Sequence, residues 1–418
     1  MRILFTFAGA WGHLDPLIPV ARAAVAAGHS VAFAGRPWMV PKVRDMGFEC
    51  FPSGTDAGLT PRRIPLETSI ANERHGPVSG FGLRLPRERS PDLLRICETW
   101  RPDVVVWEET DLAGGLVAER RGIPHARLLV LAEGTFFGPE ILAEPIRVLR
   151  MEHGLPPDPG LEMLGRHLVL SPFPPSFRDP AVRLPATAHD IRPAALGFGT
   201  ADASPRWRPG GSARPIVYLT LGTVFPLESG DLFARVTSAL RTLPVELIVT
   251  VGLDFDPAEL GPQPPNVHVE RWIPQHEVLP HCDVVVSHGG SGSVIGALAH
   301  GVPLVLIPIG ADQLRNAARC VALGVGRELD PLTATRREIR EAVSAILAEP
   351  TYRHAARRMA DESAALPDAS HAVTLIEQLA AGEHDALPQP SAPLGGYHRR
   401  ACTPQTVPGR ARSDRAEE

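Results

Sequence analysis

Residues 284–301 read VVVSHGGSGSVIGALAHG, and this stretch decides the fold class. It opens in the apolar run Asp283–Ser287, which predicts a strand buried on both faces, as in parallel sheets. Glycines and serines follow, and the apolar spacing of Ser291–His300 then predicts a helix. A strand that leads through glycines into a helix is typical of doubly wound α/β domains, where the turn approaches a ligand and unpaired helix amides hold an anion.

The start of the chain has the same organisation. It reads as strand Arg2–Phe7, loop Ala8–His13, a helix from about Pro16 to Ala27 capped by Asp15, and strand Ser30–Ala34. Other apolar runs predict strands at Asp103–Trp107, Ile216–Leu221, Glu246–Val251, Val267–Glu270 and Leu304–Pro308, and helices at Asp231–Thr242, Gln313–Leu323 and Tyr352–Ala381.

Two such units predict an α/β protein with two Rossmann-like doubly wound domains that face each other across a cleft. We assign residues 1–198 to an N-terminal domain, 199–214 to a Gly- and Pro-rich linker and 215–365 to a C-terminal domain. A helix at 366–382 is expected to pack back on the N-terminal domain, and the tail 383–418 is expected to be disordered.

The composition excludes several classes of protein. A net charge of -5 and a pI near 6.4 argue against a nucleic-acid partner, and no apolar run reaches the roughly 18 residues of a membrane span. Five cysteines without a CxxC pair predict neither a disulfide framework nor a zinc site, which favours the cytoplasm. We find no cluster of carboxylates that would hold a metal ion beside a diphosphate, so we expect no bound metal.

Residues on both sides of the Gly-rich turn suit a nucleotide sugar. Trp272, at the end of the preceding strand, offers an aromatic face for a nucleobase. The turn itself suits a diphosphate, with His288 as an added donor, and the carboxylate and amide of Asp312 and Gln313 suit sugar hydroxyls.

The segment Arg271–Ala317 resembles the family-1 glycosyltransferases, in particular bacterial enzymes that decorate antibiotics and other natural products. The resemblance implies the two-domain fold named GT-B and a donor site in the C-terminal domain. The donor-binding residues that it implies are Gly222, Thr223, Trp272, Ile273, Gln275, His288, Gly290, Ser291, Gly292, Ser293, Asp312 and Gln313.

A catalytic base is expected in the N-terminal domain. His13 follows the first strand just before a helix start, where the helix dipole favours a neutral ring, and Gly12, His13, Pro16 and Leu17 match the base motif of the family. A carboxylate against the other ring nitrogen would stabilise the imidazolium that forms. Glu108 is our candidate because it directly follows a strand, with Glu109 and Asp111 as open alternatives.

Acceptor binding is expected from Trp11, Glu109 and Asp111, together with loops over Pro52–Pro91, a segment rich in Gly, Pro and Arg with little periodicity. The resemblance implies an inverting, metal-independent transfer in secondary metabolite biosynthesis, in which a sugar or deoxysugar moves from a dTDP- or UDP-sugar to a hydroxyl of a small polyketide or aromatic aglycone. It favours a dTDP-deoxysugar over a UDP-hexose as the donor. The nucleotide sugar is a co-substrate and no cofactor is expected. The identity of the sugar, attack by oxygen or carbon, and homodimer formation are left open.

Three alternatives stand beside this reading. The first is another sugar-nucleotide enzyme of the same architecture, such as an epimerase or a lipid-linked glycosyltransferase. The second is an NAD(P)-binding oxidoreductase, which is disfavoured because residues 9–13 read GAWGH and form no GxGxxG. The third is a catalytically silent binding protein, which would be expected to lack His13.

Overall fold

The computed structural model describes residues 1–56, 63, 65–67, 78–193, 213–223 and 226–382. The predicted tail and nearly all of the predicted linker lie outside these ranges, as does part of Pro52–Pro91. None of the helices within the ranges is long and apolar enough to cross a membrane.

The first domain is built on a seven-stranded sheet in the order β3-β2-β1-β4-β5-β6-β7. All neighbouring strands are parallel, so both faces must be covered, and the strands β1, β4 and β6 are accordingly mostly apolar. The strands are β1 Arg2–Thr6, β2 Ser30–Gly35, β3 Glu49–Pro52, β4 Val104–Glu108, β5 His125–Leu128, β6 Leu168–Ser171 and β7 Ala188–Asp190.

The second domain repeats the plan with a six-stranded parallel sheet in the order β10-β9-β8-β11-β12-β13. Its strands are β8 Ile216–Thr220, β9 Glu246–Thr250, β10 Val267–Glu270, β11 Val284–Ser287, β12 Leu304–Leu306 and β13 Gly326–Glu328. The prediction of two doubly wound α/β domains is therefore confirmed.

The α-helices cover the faces of the two sheets. In the first domain they are α1 Trp11–Leu14, α2 Ile18–Ala26, α3 Val40–Asp45, α4 Leu85–Trp100, α5 Leu112–Arg121 and α6 Pro139–Glu152. In the second they are α7 Leu232–Leu240, α8 Gln275–Val278, α9 Ser291–Ala299, α10 Gln313–Ala322, α11 Arg336–Ala348 and α12 Pro350–Ala365, and the last helix is α13 Ala369–Ala380.

The two domains share apolar packing. Helix α13 follows the second domain in sequence, but its side chains Leu375, Ile376 and Leu379 are buried in the core of the first domain. Phe173 and Phe177 of the first domain belong to one apolar cluster with second-domain side chains. Arg319 of α10 also donates to the backbone oxygen of Phe177, at 2.9 Å.

Each sheet has a point where the strand order reverses, between β1 and β4 in the first domain and between β8 and β11 in the second. Loops after the carboxyl ends of strands at such a point are where doubly wound sheets bind ligands. The register pairs Thr6 with Trp107, and Thr220 with Ser287. The segments that begin at Phe7 and Glu108 are therefore neighbours, as are those that begin at Leu221 and His288.

Two predictions of local structure are wrong. The first helical turn begins at Trp11 rather than near Pro16, so His13 lies within helix α1, and Asp15 makes no side-chain cap. Pro52–Pro91 is not all loop, since a π-helical segment, Val78–Arg84, leads into α4, and Pro91 lies inside that helix. The other proline of α4, Pro86, stands in its first turn, where an N–H has no helical partner in any case.

Candidate active site

His13 and Glu108 form a hydrogen-bonded pair at the reversal point of the first sheet. His13 Nδ1 lies 3.1 Å from Glu108 Oε1, and the Glu108 side chain is fully buried. The same carboxylate accepts the backbone N–H groups of Ala8 and Thr110 at 3.1 and 2.8 Å. With Nδ1 facing the carboxylate, Nε2 is the ring nitrogen left to exchange a proton with a ligand.

The pair shifts the pKa of both members. Burial alone would lower the pKa of His13, but the charge and hydrogen bond of Glu108 outweigh it and the pKa is raised above 6.5. Burial alone would raise the pKa of Glu108, but His13 and Thr110 outweigh it and the pKa is lowered. The structure thus favours a charged carboxylate and a more basic ring, whereas the helix dipole led us to expect a ring kept neutral.

Thr110 completes this arrangement, and the sequence analysis missed it. Its hydroxyl donates to Glu108 at 2.8 Å and also lies 3.1 Å from His13 Nδ1. A threonine within the acidic segment Glu108–Asp111 was a signal that could have drawn attention, because a hydroxyl beside a buried carboxylate satisfies one of its lone pairs.

The other two acids of this segment have different partners. Glu109 is ion-paired with Arg127 at 3.3 Å and accepts the N–H groups of Val130 and Leu131. Asp111 is ion-paired with Arg89 of α4 at 2.9 Å, with both side chains buried.

These ion pairs decide between the three acids. Glu108 is the carboxylate that contacts His13, while Glu109 and Asp111 each hold a different segment of the first domain. The expectation that Glu109 and Asp111 contact the acceptor is not supported, because their carboxylates are buried in ion pairs rather than exposed to the cleft.

The His13 ring has close neighbours on its faces. A Cβ added at Gly9 would lie 2.0 Å from His13 Cδ2 and 2.4 Å from Cγ, so only glycine fits there. Phe81 of the π-helical segment stacks on the ring with 5.3 Å between centroids. Trp11, predicted to contact the acceptor, is half-buried beside the ammonium group of Lys42, which lies 5.4 Å from its ring.

The Gly-rich turn of the second domain surrounds His288 with glycine. A Cβ at Gly222 or Gly290 would lie 2.6 or 2.7 Å from His288 Nε2, and Gly222 has a φ of 75°, which favours glycine. Burial lowers the pKa of His288 to about 4, so the ring is neutral at pH 7 and offers an N–H rather than a positive charge. Thr223, the residue after Gly222, is exposed.

Helix α9 begins at Ser291 in this turn, which places Gly292 and Ser293 in its first turn, where N–H groups have no helical partner. Such a helix start attracts anions. Ser291 and Asp312 are joined by a 2.5 Å hydrogen bond from the serine hydroxyl to Oδ2. Asn316 of α10, which the sequence analysis missed, donates to the same oxygen at 2.8 Å.

The remaining predicted donor residues differ in how open they are. Trp272 is 39% exposed, as a platform for a ligand must be, whereas the Ile273 side chain is buried in the core and has no face for a donor. Gln275 Nε2 lies 3.5 Å from Ser293 Oγ. The amide oxygen of Gln313 accepts the N–H groups of Ile309 and Gly310, which fixes the loop before Asp312.

The sites of the two domains meet across the cleft. The N–H of Ala132, in the first domain, donates to Ser291 Oγ at 2.8 Å, and the carboxylate of Asp312 is near enough to help raise the pKa of His13. Nowhere in the described ranges do three His, Cys, Asp or Glu side chains come together as metal ligands would. The arrangement places the His13–Glu108 pair on one side of the cleft and the start of helix α9 on the other.

Comparison with known proteins finds relatives that match most of the chain. Residues 22–222 match the N-terminal domain, and residues 234–379 the C-terminal domain, of erythromycin biosynthesis protein CIII-like proteins. The chain is 31% identical to 4'-demethylrebeccamycin synthase of Lentzea aerocolonigenes, over 90% of this chain and 99% of that protein. It is also 31% identical to L-demethylnoviosyl transferase of Streptomyces niveus, over 93% and 100%.

A solved structure supports the fold as well. The glycosyltransferase SsfS6 of Streptomyces sp. SF2575, complexed with thymidine diphosphate, matches with a TM-score of 0.71 at 29% identity. The match covers 90% of this chain and 99% of that one.

Proposed function

The chain belongs to the erythromycin biosynthesis protein CIII-like family of bacterial natural-product glycosyltransferases, and from this membership we propose its reaction. It transfers a deoxysugar from a thymidine diphosphate donor to a hydroxyl of a small polyketide or aromatic aglycone, with inversion and without a metal ion. The observation that carries the proposal is the His13–Glu108 pair opposite the N-terminal end of helix α9.

The first domain activates the acceptor. His13 Nε2 removes the proton of the acceptor hydroxyl as the oxygen attacks the anomeric carbon of the donor sugar. The ring becomes an imidazolium, and Glu108 stabilises that charge through Nδ1, as in other base–carboxylate pairs. Because the attack comes from the face opposite the leaving group, the configuration at the anomeric carbon inverts.

The second domain holds the donor and the leaving group. Trp272 stacks on the nucleobase. The carboxylate of Asp312 and the side-chain N–H group of Gln313 bind sugar hydroxyls, since the amide oxygen of Gln313 already accepts from Ile309 and Gly310. As the bond between the anomeric carbon and the phosphate oxygen breaks, thymidine diphosphate takes the electron pair. The N–H groups of Gly292 and Ser293, in the first turn of α9, and the N–H of neutral His288 stabilise its negative charge.

Thymidine diphosphate is preferred to uridine diphosphate because SsfS6, which matches over 90% of this chain, was solved with that nucleotide. Calorimetric titration with thymidine diphosphate, uridine diphosphate and NAD⁺ tests the choice. Binding of NAD⁺ alone would favour the oxidoreductase alternative. Mass spectrometry of products from a panel of donors and aglycones then identifies the substrates.

The decisive variant is His13→Ala. A positioned base contributes about 10²- to 10⁴-fold to the rate, so turnover should fall by that factor. Affinity for thymidine diphosphate should stay within about twofold, because His13 lies in the other domain. Its proton transfer stabilises the transition state and does not contribute to nucleotide binding. A variant that retained near-normal turnover would refute the assignment of His13 as the base.

Assays in EDTA test the absence of a metal requirement. Since helix amides and His288 neutralise the leaving group in this proposal, turnover should be unchanged after chelation. A loss of turnover that Mg²⁺ restores would show that a cation carries part of that charge.

A further inference from the structure

The hydroxyl of Ser291 has a full set of protein partners. It donates its hydrogen to Asp312 Oδ2 at 2.5 Å. It accepts the N–H of Ala132 at 2.8 Å and the amide N–H of Asn316 at 3.2 Å. A hydroxyl has one hydrogen and two lone pairs, so nothing is left over for a phosphate oxygen.

The same bonds fix the carboxylate of Asp312. Its Oδ2 accepts from the Ser291 hydroxyl, from the Ser291 N–H at 3.2 Å and from Asn316 at 2.8 Å. All three residues are buried, so these bonds compete with little water. One carboxylate oxygen is therefore held by the protein, and Oδ1 is the oxygen that can serve a ligand.

The Ala132 bond connects this carboxylate to the first domain. Ala132 follows Val130 and Leu131, whose N–H groups are bound at 2.8 and 2.9 Å by Glu109. Glu109 is adjacent to Glu108, the partner of His13. Hydrogen bonds to Glu109, the peptide bond from Leu131 to Ala132 and the bond from Ala132 to Ser291 thus connect the acidic segment of the first domain with Asp312 of the second.

We propose that Ser291 is a positioning residue for the donor sugar, which holds Asp312 and joins it to the first domain, and is not a ligand of the diphosphate. The inference rests on the proposed function, in which Asp312 binds the sugar. It separates two neighbouring serines of α9 by role, since Ser293 stands outside this network.

The test compares thymidine diphosphate with TDP-glucose, which adds a sugar to the terminal phosphate and removes one of its ionisable oxygens. Because that charge difference is the same for every variant, a change in the ratio of the two affinities reports on the sugar. In Ser291→Ala the affinity for thymidine diphosphate should stay within about twofold, whereas the affinity for TDP-glucose should fall about tenfold, as loss of a hydrogen bond to a charged group implies. Ser293→Ala is the matched control, expected to change both affinities by the same factor. Retained nucleotide binding shows that each variant is folded.

Asn316→Ala gives a second measurement, because its amide holds the same carboxylate oxygen. It should also weaken TDP-glucose selectively, and the double variant should lose less than the product of the two single losses. Equal weakening of both ligands by Ser291→Ala would overturn the proposal. If the unmodified protein bound neither ligand, the proposed function itself would fail instead.

Discussion

A histidine that deprotonates an alcohol must be neutral before the reaction and charged during it. Burial favours the neutral ring of His13, and Glu108 favours the charged one. The balance lies with Glu108, because its carboxylate is fully buried and 3.1 Å away. The ring is therefore a stronger base than a free histidine, but a larger fraction of it is protonated at neutral pH.

This balance predicts the pH dependence of the enzyme. Only the neutral ring accepts a proton, so kcat/KM should rise with pH through a midpoint above 6.5. Glu108→Gln removes the charge that raises the pKa and leaves burial to lower it, so the midpoint should move down while kcat falls. The measurement is kcat/KM between pH 5 and 9 for both proteins.

Glu377→Gln serves as the control, since Glu377 pairs with a different histidine, His29, away from the cleft. Its profile should match that of the unmodified enzyme. A midpoint that did not move in Glu108→Gln would mean that this carboxylate does not set the basicity of His13.

The sequence favoured Glu108 over its neighbours but could not exclude them. Its position directly after strand β4 was readable, because apolar runs mark buried strands. The ion pairs of Asp111 with Arg89 and of Glu109 with Arg127 could not be predicted. Arg89, for example, lies 22 residues from Asp111 in sequence, and only the fold brings the two together. Ala132 escaped notice for the same reason, since it lies 159 residues from Ser291. Asn316, in contrast, lies four residues after Asp312, a spacing that places two side chains on one face of a helix, and this signal was overlooked.

At the scale of elements, the two sheets place equivalent loops at equivalent positions. The loop after β1 brings Gly9 against His13, and the loop after β8 brings Gly222 against His288. At each of these glycines a side chain would collide with the neighbouring imidazole ring. The two domains therefore use the same device, once beside His13 and once beside His288.

This device predicts a separation of effects. Gly9→Ala puts a methyl group 2.0 Å from the His13 ring and should lower kcat about 10²-fold, as a displaced catalytic group does, with thymidine diphosphate affinity preserved. Gly222→Ala puts one 2.6 Å from His288 in a left-handed conformation and should weaken thymidine diphosphate about tenfold. Steady-state kinetics and calorimetry measure the two effects, and each variant is the control for the other. The same loss in both would contradict the division of roles.

The elements that were predicted well are those marked by one clear sequence signal, a continuous apolar run. The apolar strands β1, β4, β8 and β11 are examples, and all four border the site. Helix α4 was missed because Pro86 and Pro91 resemble helix breakers, although Pro86 stands in the first turn. The start of α1 was misplaced because Asp15 resembles a cap, whereas Ala10 precedes the helix without a side-chain cap.

At the scale of the whole molecule, helix α13 ties the two domains together. Nothing in its own apolar periodicity shows which domain receives it. Leu375 is fully buried against first-domain residues, although the helix continues from the second domain. Unfolding of either domain should therefore destabilise the other, and the two domains should unfold in one cooperative transition.

Leu375→Ala tests this coupling. A buried Leu→Ala substitution costs about 2 to 5 kcal/mol of unfolding free energy, which chemical denaturation measures. The control is Leu314→Ala, at an exposed leucine of helix α10, which should change the unfolding free energy by no more than about 0.5 kcal/mol. Thymidine diphosphate, which binds the second domain in our proposal, should raise the temperature of one shared calorimetric transition. Two transitions, with the nucleotide shifting one alone, would instead mean that α13 anchors the domains without making their unfolding cooperative.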